Sequence, residues 1–262
     1  NKLTEIPVDE TGTFCGMDDV ETLSFSYNKL TELPDIFSAK SIYSMKSVNF
    51  SANQITKVQN GENYKGINVE TLTMTDNPIT VYPVEFAKSK SKIGFVNMRG
   101  CRLSDVPEEA FEGENVKYLM SLDFSYNDLN DLPSSFNAVN MPYFYGLELS
   151  YNEFSKFPYE PLDCYGLTVF AIRGQRDKNG DRCLSEWPTG IYQHVGLRGF
   201  YIGSNNLGMI NDTISPLCYY LEISDNPDIV FDASGVCYEY SIGAYYLIYD
   251  KTQDVRGCEL ML

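Results

Sequence analysis

The stretch VETLSFSYN at residues 20–28 returns along the chain with small changes. It reads LMSLDFSYN at 119–127, FYGLELSYN at 144–152 and CYYLEISDN at 218–226. Each of these copies has apolar residues at its first, fourth and sixth positions and asparagine at its ninth. A phrase that recurs at a nearly fixed period predicts a solenoid, in which each repeat stacks only on its neighbours.

Ten copies of the phrase align, with ninth positions at Asn28, Asn53, Asn77, Cys101, Asn127, Asn152, Gln175, Asn205, Asn226 and Asp250. Their average spacing is about 24.7 residues, within the roughly 20–29 residues of leucine-rich repeats. The alignment resembles the LxxLxLxxNxLxxLP pattern of the leucine-rich-repeat family over essentially the whole chain. The resemblance implies an α/β solenoid, a curved horseshoe with a parallel concave sheet of about ten short strands.

The spacing within the phrase agrees with this fold on physical grounds. Positions four and six lie two residues apart and face one side of a short strand, whereas positions three, five and seven face the other. The amide of the ninth-position asparagine can both donate to and accept from backbone groups of the loop. Cys101 resembles an accepted family variant, Gln175 marks an irregular repeat, and Asp250 is expected to reach solvent at the open end.

The outer segments of the repeats are short and mixed in composition. Six repeats continue into an apolar–proline pair: Leu33-Pro34, Tyr82-Pro83, Val106-Pro107, Leu132-Pro133, Phe157-Pro158 and Trp187-Pro188. Proline lacks the N–H that a strand needs to continue. We expect a nearby apolar residue to pack on the core, namely Phe37, Phe86, Phe111, Phe136 or Ile191. These segments predict 3₁₀ turns and brief helices on the convex side.

The unbroken repeat predicts one elongated domain over residues 1–262, with residues 251–262 as its C-terminal cap. The chain opens on NKLTEIP, which matches NKLTELP at 28–34, the second half of a repeat. It therefore starts in mid-repeat, and we expect it to belong to a longer protein.

The net charge, the lengths of the apolar runs and the positions of the cysteines restrict the partners and the covalent structure that the chain can have. A formal net charge of −16 argues against a nucleic-acid partner, because phosphates require a basic surface. No apolar run reaches the ~18–20 residues of a membrane-spanning helix, so this segment is not expected to insert into a bilayer. Cys101 and Cys218 occupy phrase positions nine and one and are predicted to be buried. Cys237 and Cys258 lie in the final turns, where a disulfide is possible.

Residues that would support catalysis are scarce. The single histidine, His194, lies on the convex approach to a strand and is expected at the surface. A Ser–His–Asp or Cys–His site needs its histidine beside a nucleophile in a cleft. The cysteines form no CxxC pair, and no glycine-rich phosphate loop is present. The sequence therefore predicts a protein that is not an enzyme and that carries no cofactor, calcium excepted.

The calcium alternative rests on an insertion in the seventh repeat, RDKNGDRC at 176–183. Asp177, Asn179 and Asp181 place oxygen-bearing side chains at alternate positions, as at the start of a calcium loop. The match then stops, since Arg182 stands where an EF-hand has its turn glycine and Pro188 where it has its bidentate glutamate. The alternatives are a calcium site and a polar loop in which the Asn-Gly step makes a tight turn.

The concave face is the stronger candidate for a functional site. Phrase positions three, five, seven and eight line it, and strands about 4.8 Å apart bring these positions into contiguous rows. The predicted ligand-binding residues are Phe95, Asn97, Arg99, Asp123, Glu148, Arg173, Tyr201, Tyr220, Glu222 and Tyr246. Arg99 and Arg173 are the only cations at positions three, five and seven, and arginine and tyrosine are enriched at binding hot spots.

By resemblance, the predicted function is recognition without catalysis, with a protein partner bound on the concave face. Two alternatives stay open: a glycan bound by the tyrosines of the late repeats, and a structural spacer of a surface lipoprotein. Irregular repeat lengths and abundant tyrosine are similar to repeat domains of bacterial surface and secreted proteins, especially lipoproteins of gut Bacteroidetes. That likeness implies an extracellular or cell-surface location, although a fold alone does not fix a function.

Overall fold

The computed structural model describes residues 1–6, 19–33, 45–58, 69–88, 92–210, 218–232, 246–250 and 253–256. The strands, in chain order, are β1 Thr22–Ser24, β2 Glu32–Leu33, β3 Ser47–Asn49, β4 Lys57–Val58, β5 Thr71–Thr73, β6 Phe95–Asn97, β7 Ser121–Asp123, β8 Gly146–Glu148, β9 Val169–Ala171, β10 Gly199–Tyr201, β11 Met209–Ile210, β12 Tyr220–Glu222, β13 Val230–Asp232, β14 Tyr246–Ile248 and β15 Asp254–Arg256. Ten of them form one parallel sheet in the order β1-β3-β5-β6-β7-β8-β9-β10-β12-β14. Each repeat contributes one strand to this sheet, so the predicted leucine-rich-repeat solenoid is confirmed.

The central residue of each strand in the main sheet is apolar and marks phrase position four. Leu23, Val48 and Leu72 lie side by side in register, and the same alignment continues to Leu221 and Leu247. The two neighbours of each central residue face away from the core, since side chains alternate along a strand. Consecutive repeats therefore stack in register over one continuous hydrophobic core.

The structure corrects the alignment of the tenth repeat. Leu247 pairs with Leu221, which places Asp250 level with Ser224 and two residues short of the ninth phrase position. Asp250 is exposed, as expected, and its Oδ2 accepts a hydrogen bond from Asp225 N at 2.6 Å. It is not the ladder residue of that repeat.

A ladder of buried amides follows the strands. Asn127 donates from Nδ2 to Phe124 O at 2.8 Å and to Met98 O of the preceding repeat at 2.9 Å. Its Oδ1 accepts from Cys101 N and Leu103 N, both at 2.9 Å. One side chain thus satisfies four backbone groups that would otherwise be buried without partners. Comparable bonds tie Asn53, Asn77, Asn152, Asn205 and Asn226 to the preceding repeat.

Three repeats complete the ladder with other residues. Cys101 donates from Sγ to Met74 O at 3.0 Å. Gln175 and Gln253 reach a carbonyl of the preceding repeat with their longer amides, each at 3.0 Å from Nε2 to O. Gln253 therefore takes the place that the sequence pattern assigned to Asp250.

The residue before each ladder position has a left-handed backbone. At phrase position eight, φ lies between 52° and 67° in nine successive repeats, at Tyr27, Ala52, Asp76, Gly100, Tyr126, Tyr151, Gly174, Ser204 and Asp225. This conformation costs a non-glycine residue about 1–2 kcal/mol. The hydrogen bonds of the adjacent ladder residues hold the turn in place. The tyrosines at this position are left exposed at the rim of the sheet.

The convex segments contain the short helices and turns that were predicted. The helix α1 spans Glu85–Lys88, and 3₁₀ helices span Glu108–Phe111, Val116–Tyr118, Glu160–Asp163 and Ile191–Gln193. The apolar residues that follow the prolines are buried at Phe86, Phe111, Phe136 and Ile191. Two further parallel sheets, β2-β4 and β11-β13-β15, lie after the ladder turns.

Some predictions fall partly on residues that are not described. Cys101 and Cys218 are fully buried, as predicted. Phe37, Cys237, Cys258 and most of the predicted cap at 251–262 lie outside the described residues. Within the described ranges, no helix has the length and apolar character that crossing a membrane requires.

Candidate functional site

The ten predicted binding residues lie on the side of the main sheet that faces away from the core. They start a strand (Phe95, Tyr220 and Tyr246), end a strand (Asn97, Asp123, Glu148, Tyr201 and Glu222) or follow a strand end by two residues (Arg99 and Arg173). Parallel register aligns these positions in rows along the solenoid. The structure therefore brings the predicted residues onto one surface.

Side chains at the strand ends cap the turn that follows. At Asn97, Asp123 and Glu148, a side-chain oxygen accepts the backbone N–H two residues later, at 2.9–3.0 Å. The neutral amide of Asn97 makes this bond as well as the two carboxylates do, so the turn does not require a negative charge. Asp123 Oδ2 receives no hydrogen bond from the described residues.

Arg99 lies flat on an aromatic stack at the rim of the sheet. Its guanidinium carbon is 3.7 Å from the centroid of the Tyr126 ring, and that ring stacks on Tyr151 with centroids 4.4 Å apart. Tyr151 lies against Gly174, where an added Cβ would be 2.6 Å from a ring carbon. The four residues come from four consecutive repeats, and both faces of the Tyr126 ring are covered, one by Arg99 and the other by Tyr151.

No carboxylate of the described residues pairs directly with Arg99. Its Nη1 donates to Ser125 Oγ at 3.2 Å, and Ser125 Oγ donates in turn to Asp123 Oδ1 at 2.6 Å. Within the described part of the chain Arg99 forms no ion pair, whereas the other concave arginine forms two. Arg99 is therefore held by one ring contact and one hydrogen bond, and no ion pair within the described residues neutralises it.

Arg173, by contrast, is neutralised inside the solenoid. Its Nε donates to Glu222 Oε2 at 2.9 Å, and its Nη1 lies 3.9 Å from Glu148 Oε2. Its guanidinium carbon is also 4.4 Å from the centroid of the Tyr201 ring. Two carboxylates and one ring thus occupy most of its surroundings.

Glu222 differs from the other predicted binding residues because it is only 7% exposed. Besides the bond from Arg173, it accepts hydrogen bonds from Gly203 N at 3.2 Å and from Ser224 Oγ. A Cβ added to Gly203 would collide with the Glu222 carboxylate. Glu222 is therefore a partner of Arg173 within the fold.

An open groove of about 370 Å³ crosses the fifth and sixth repeats between the two arginines. Asp123 and Glu148 lie side by side on its strands, and Tyr126 and Tyr151 form its rim. Burial raises the pKa of Glu148, and the nearby charge of Asp123 raises that pKa further, against hydrogen bonds from Ser150 and the charge of Arg173. Two adjacent carboxylates with one incomplete counter-charge favour the approach of a cation.

Tyr126 and Tyr151 are functional candidates that the sequence reasoning did not select. The signal for them was present, because both occupy phrase position eight in a Ser-Tyr-Asn triplet. The alternation of side chains along a strand does not predict the direction of a side chain that lies beyond the strand. The stacking of these two rings depends on the left-handed turn at position eight, which only the structure shows. In the late repeats, Tyr220 and Tyr246 also stack, with centroids 5.0 Å apart and planes 8° from parallel.

The insertion of the seventh repeat folds as a tight turn. Asp177 Oδ1 accepts from Asn179 N at 2.8 Å and from Asp181 N at 2.9 Å, while Gly180 has φ of 87°. These bonds to its own loop lower the pKa of Asp177. No group of three or more acidic, histidine or cysteine side chains suited to a metal occurs among the described residues. Calcium binding by Asp177, Asn179 and Asp181 stays a prediction.

Arg182 at the end of the insertion ties the loop to the body of the solenoid. Its Nη1 donates to Asn205 O at 3.0 Å, and its Nη2 lies 2.5 Å from Asp225 Oδ1. The hydrogen bond from Arg182 is the largest cause of a lowered pKa of Asp225.

His194 is buried, and the expectation that it lies at the surface is wrong. It is only 8% exposed, and its Nε2 lies 3.1 Å from Cys164 O in the preceding convex turn. The ring packs between two turns because each convex segment stacks on the one before it. This contact gives His194 a structural role.

Comparison with known proteins agrees with this architecture. A leucine-rich repeat protein from Bacteroides thetaiotaomicron VPI-5482 shares 39% sequence identity and superposes with a TM-score of 0.92 over 99% of this chain. A leucine-rich repeat protein from Bacteroides eggerthii DSM 20697 shares 40% identity, with a TM-score of 0.90 over 98% of this chain. The chain is a leucine-rich-repeat solenoid.

This leucine-rich-repeat solenoid corresponds to part of each relative. It spans 32% of the B. thetaiotaomicron protein and 44% of the B. eggerthii protein. Bovine lumican is 29% identical over 135 residues, which are 51% of this chain and 38% of lumican. No protein-family model matches the sequence. The relatives thus support the fold, while the binding face has to be argued from this chain.

Proposed function

We propose that this solenoid is a recognition module without catalytic activity, which binds a protein partner on its concave face. The observation that carries the proposal is the ordered stack of Arg99, Tyr126 and Tyr151 beside the carboxylates of Asp123 and Glu148. Arginine and tyrosine combine a large contact area with directional donors, as binding hot spots do. Because the stack is already ordered, little side-chain entropy would be lost on binding.

The covered ring faces favour a protein over a glycan. A sugar ring stacks on an open aromatic face, but Tyr126 is covered by Arg99 on one side and by Tyr151 on the other. The inner faces of the Tyr220–Tyr246 pair are closed in the same way. Such stacks offer ring edges and hydroxyl groups, which suit hydrogen bonds to a polypeptide.

The spacer alternative requires nothing of the concave face. Exposed rings and an unpaired guanidinium at successive repeats are features that a spacer does not need, and exposed aromatic surface carries a risk of aggregation. The resemblance of the sequence to repeat domains of bacterial surface and secreted proteins, together with its likeness to leucine-rich repeat proteins of Bacteroides, favours an extracellular or cell-surface location for this protein. Protease treatment of intact cells, followed by detection of this segment, tests that location.

The experiment compares three immobilised baits in bacterial envelope extract and in intestinal secretions, with both protein and glycan detection. The baits are the chain itself, a concave variant with Arg99→Ala, Tyr126→Ala and Tyr151→Ala, and a matched control. The control carries Lys156→Ala, Tyr143→Ala and Tyr165→Ala, which remove one cation and two exposed tyrosines outside the concave rows. Ala52 already adopts the left-handed turn, so alanine is compatible with position eight.

Each outcome separates the functions. A protein that is retained by the chain and the control, lost from the concave variant, and bound directly after purification supports the proposal. A retained glycan would favour the glycan alternative. Equal retention by all three folded baits, or none by any, would remove the concave face as the site and favour a spacer.

A further inference from the structure

The concave charges fall into two groups once the internal pairs are set aside. Arg173 is paired with Glu222 and stays within the fold. Over the third to sixth repeats, the charged side chains at the concave positions are Asp76, Arg99, Asp123 and Glu148, one in each repeat, and Arg173 balances Glu148 only at the longer distance of 3.9 Å. Read along the solenoid, their signs are negative, positive, negative and negative.

Asp76 belongs to this series because it lies next to Arg99 at the rim. It is exposed at phrase position eight, and a Cβ added to Gly100 would be 2.8 Å from its Oδ1. Successive strands are about 4.8 Å apart, so the four charges form a short series with a defined order. A binding surface of this kind distinguishes partners by the order of their charges as well as by their total charge.

Resting on the proposed function, we propose that this order selects a basic polypeptide segment that places a single carboxylate against Arg99. The basic side chains of that segment pair with Asp76, Asp123 and Glu148. The formal net charge of −16 on the chain attracts such a segment from solution.

The partner needs one carboxylate because most of the hydrogen-bond donors of Arg99 are not satisfied by the described residues. A guanidinium carries five N–H donors, and Ser125 Oγ accepts from one nitrogen of Arg99. A partner that covers the stack excludes water from the remaining donors, and each donor left unsatisfied then weakens binding because its desolvation is not compensated. A carboxylate can accept two of these N–H groups at once. A lysine at the same place would instead meet a like charge held rigidly on Tyr126.

The aromatic stack orients the Arg99 guanidinium so that it can bind that carboxylate specifically. Arg99 cannot swing aside to reach Glu148 without leaving the Tyr126 face at 3.7 Å, and Tyr126 is itself held by Tyr151. Its planar fork is therefore presented in one orientation, which is the arrangement that bidentate recognition needs.

The test uses a phage library of random twelve-residue peptides, selected on the folded chain and on three variants. The variants are Arg99→Glu, the pair Asp123→Asn with Glu148→Gln, and a control, Lys57→Gln, which removes a cation that pairs with Glu32 away from the concave face. The amide variants keep the turn caps, as Asn97 shows. Selected peptides are then synthesised, and their affinities are measured by fluorescence anisotropy.

We expect peptides selected on the chain and on Lys57→Gln to be rich in lysine and arginine with one acidic residue. Replacing that acid by lysine should weaken binding to the chain about tenfold and strengthen binding to Arg99→Glu by a similar factor, since a tenfold change corresponds to ~1.4 kcal/mol. Peptides selected on the variant with Asp123→Asn and Glu148→Gln should no longer be enriched in lysine and arginine.

Several results would overturn the inference. Acid-free basic peptides that bind the chain equally well would do so, as would no change in peptide composition on Arg99→Glu, or no charged pattern in any selection. If selected peptides are indifferent to Arg99→Glu but bind the Asp123→Asn, Glu148→Gln variant more weakly, the concave recognition function stands and only the inference fails. If no concave substitution affects them, the proposed function fails as well.

Discussion

Repeats four to six and repeats seven to nine form two comparable regions of the solenoid. The first repeat of each region carries an arginine at phrase position seven, Arg99 or Arg173, and the two arginines contact different partners. Arg173 reaches over the eighth repeat to Glu222, which lies 49 residues further along the chain. Arg99 has Glu148 at the same offset, but in the described structure it does not pair with it. The same local motif therefore gives a closed ion pair in one region and an available guanidinium in the other.

The intervening repeat decides between these outcomes. Gly203 leaves the path from Arg173 to Glu222 open and donates its own N–H to that carboxylate. In the earlier region the corresponding residue is Ser125, whose hydroxyl accepts the hydrogen bond from Arg99, while the next residue, Tyr126, supports the guanidinium with its ring. A glycine or a serine in the repeat between the arginine and the acid thus determines whether the arginine stabilises the fold or faces a partner.

The largest effect is expected from Gly203→Ser, which gives the later region the residue of the earlier one. The added Cβ would overlap the Glu222 carboxylate, so the carboxylate must leave a nearly buried site and lose its bond from Arg173. We expect a loss of about 3 kcal/mol in the free energy of unfolding, measured in urea. Gly208→Ser is the matched control, because a Cβ there meets nothing within 4 Å. Equal losses in the two variants would contradict the proposed role of Gly203.

Replacing each arginine by alanine should also affect the two regions differently, with smaller losses in the free energy of unfolding. Arg173→Ala leaves Glu222 nearly buried without its cation, and we expect a loss of about 2 kcal/mol, reduced by the partial exposure of Arg173. Arg99→Ala should cost less than about 1 kcal/mol, since it removes only a contact at the surface. Replacing Arg173 and Glu222 together by methionine should recover most of the loss, because no buried charge remains. Similar losses for Arg99→Ala and Arg173→Ala would remove the distinction.

This contrast also marks how far the sequence could predict the molecule. Apolar spacing and the ninth-position amide are local properties of each repeat, so they predicted the register of nine strands and the ladder correctly. The tenth repeat failed because Tyr245 and Leu247 fit phrase positions four and six in the sequence as well as Leu247 and Tyr249 do. A shift of two keeps the same side chains on the same face, so alternation cannot resolve it.

The sequence could predict on which face the candidate site residues lie, but it could not predict which of them contact each other. The pattern placed Arg99, Arg173 and Glu222 on one face, and the strands of the structure put them there, while their role in binding stays a prediction. Whether two of them pair depends on a third residue, such as Gly203, in the repeat between them. The burial of His194 has the same origin, because it depends on the stacking of one convex turn on another. Contacts between separate repeats are tertiary, and the composition of one repeat does not encode them.

The rigidity of the Arg99 stack can be tested at Gly174. Its φ of 61° favours glycine, and a Cβ there would lie 2.6 Å from the Tyr151 ring. Gly180 also has a positive φ, of 87°, but nothing lies within 4 Å of an added Cβ. We expect each alanine variant to lose about 1 kcal/mol through its backbone, and Gly174→Ala to lose about 1 kcal/mol more by displacing Tyr151. The extra loss should be accompanied by a change in the ring resonances of Tyr126 and Tyr151, which Gly180→Ala should not produce.

The smallest expected effect comes from opening the path of Arg99, with Ser125→Gly and Tyr126→Ser. These changes give the fifth repeat the Gly-Ser pair of the eighth, so Arg99 should reach Glu148 and pair with it. The net change in the free energy of unfolding should stay below about 1 kcal/mol, since the new pair is partly exposed and the ring stack is lost. Ser125→Ala with Tyr126→Ser is the control, because it removes the same groups but leaves a Cβ in the path.

The pH dependence gives the variant a distinct signature. In the chain itself the pKa of Glu148 is raised by burial, so its carboxyl group favours the folded state when protonated. Its contribution to stability is therefore complete below the ordinary pKa of 4.5 and is lost as the pH rises through the higher folded value. An ion pair with Arg99 should lower the pKa of Glu148 and weaken or reverse that loss. A carboxyl-carbon NMR titration of Glu148 measures this directly, and an unchanged pKa in the variant would mean that more than Ser125 and Tyr126 keeps Arg99 from its acid.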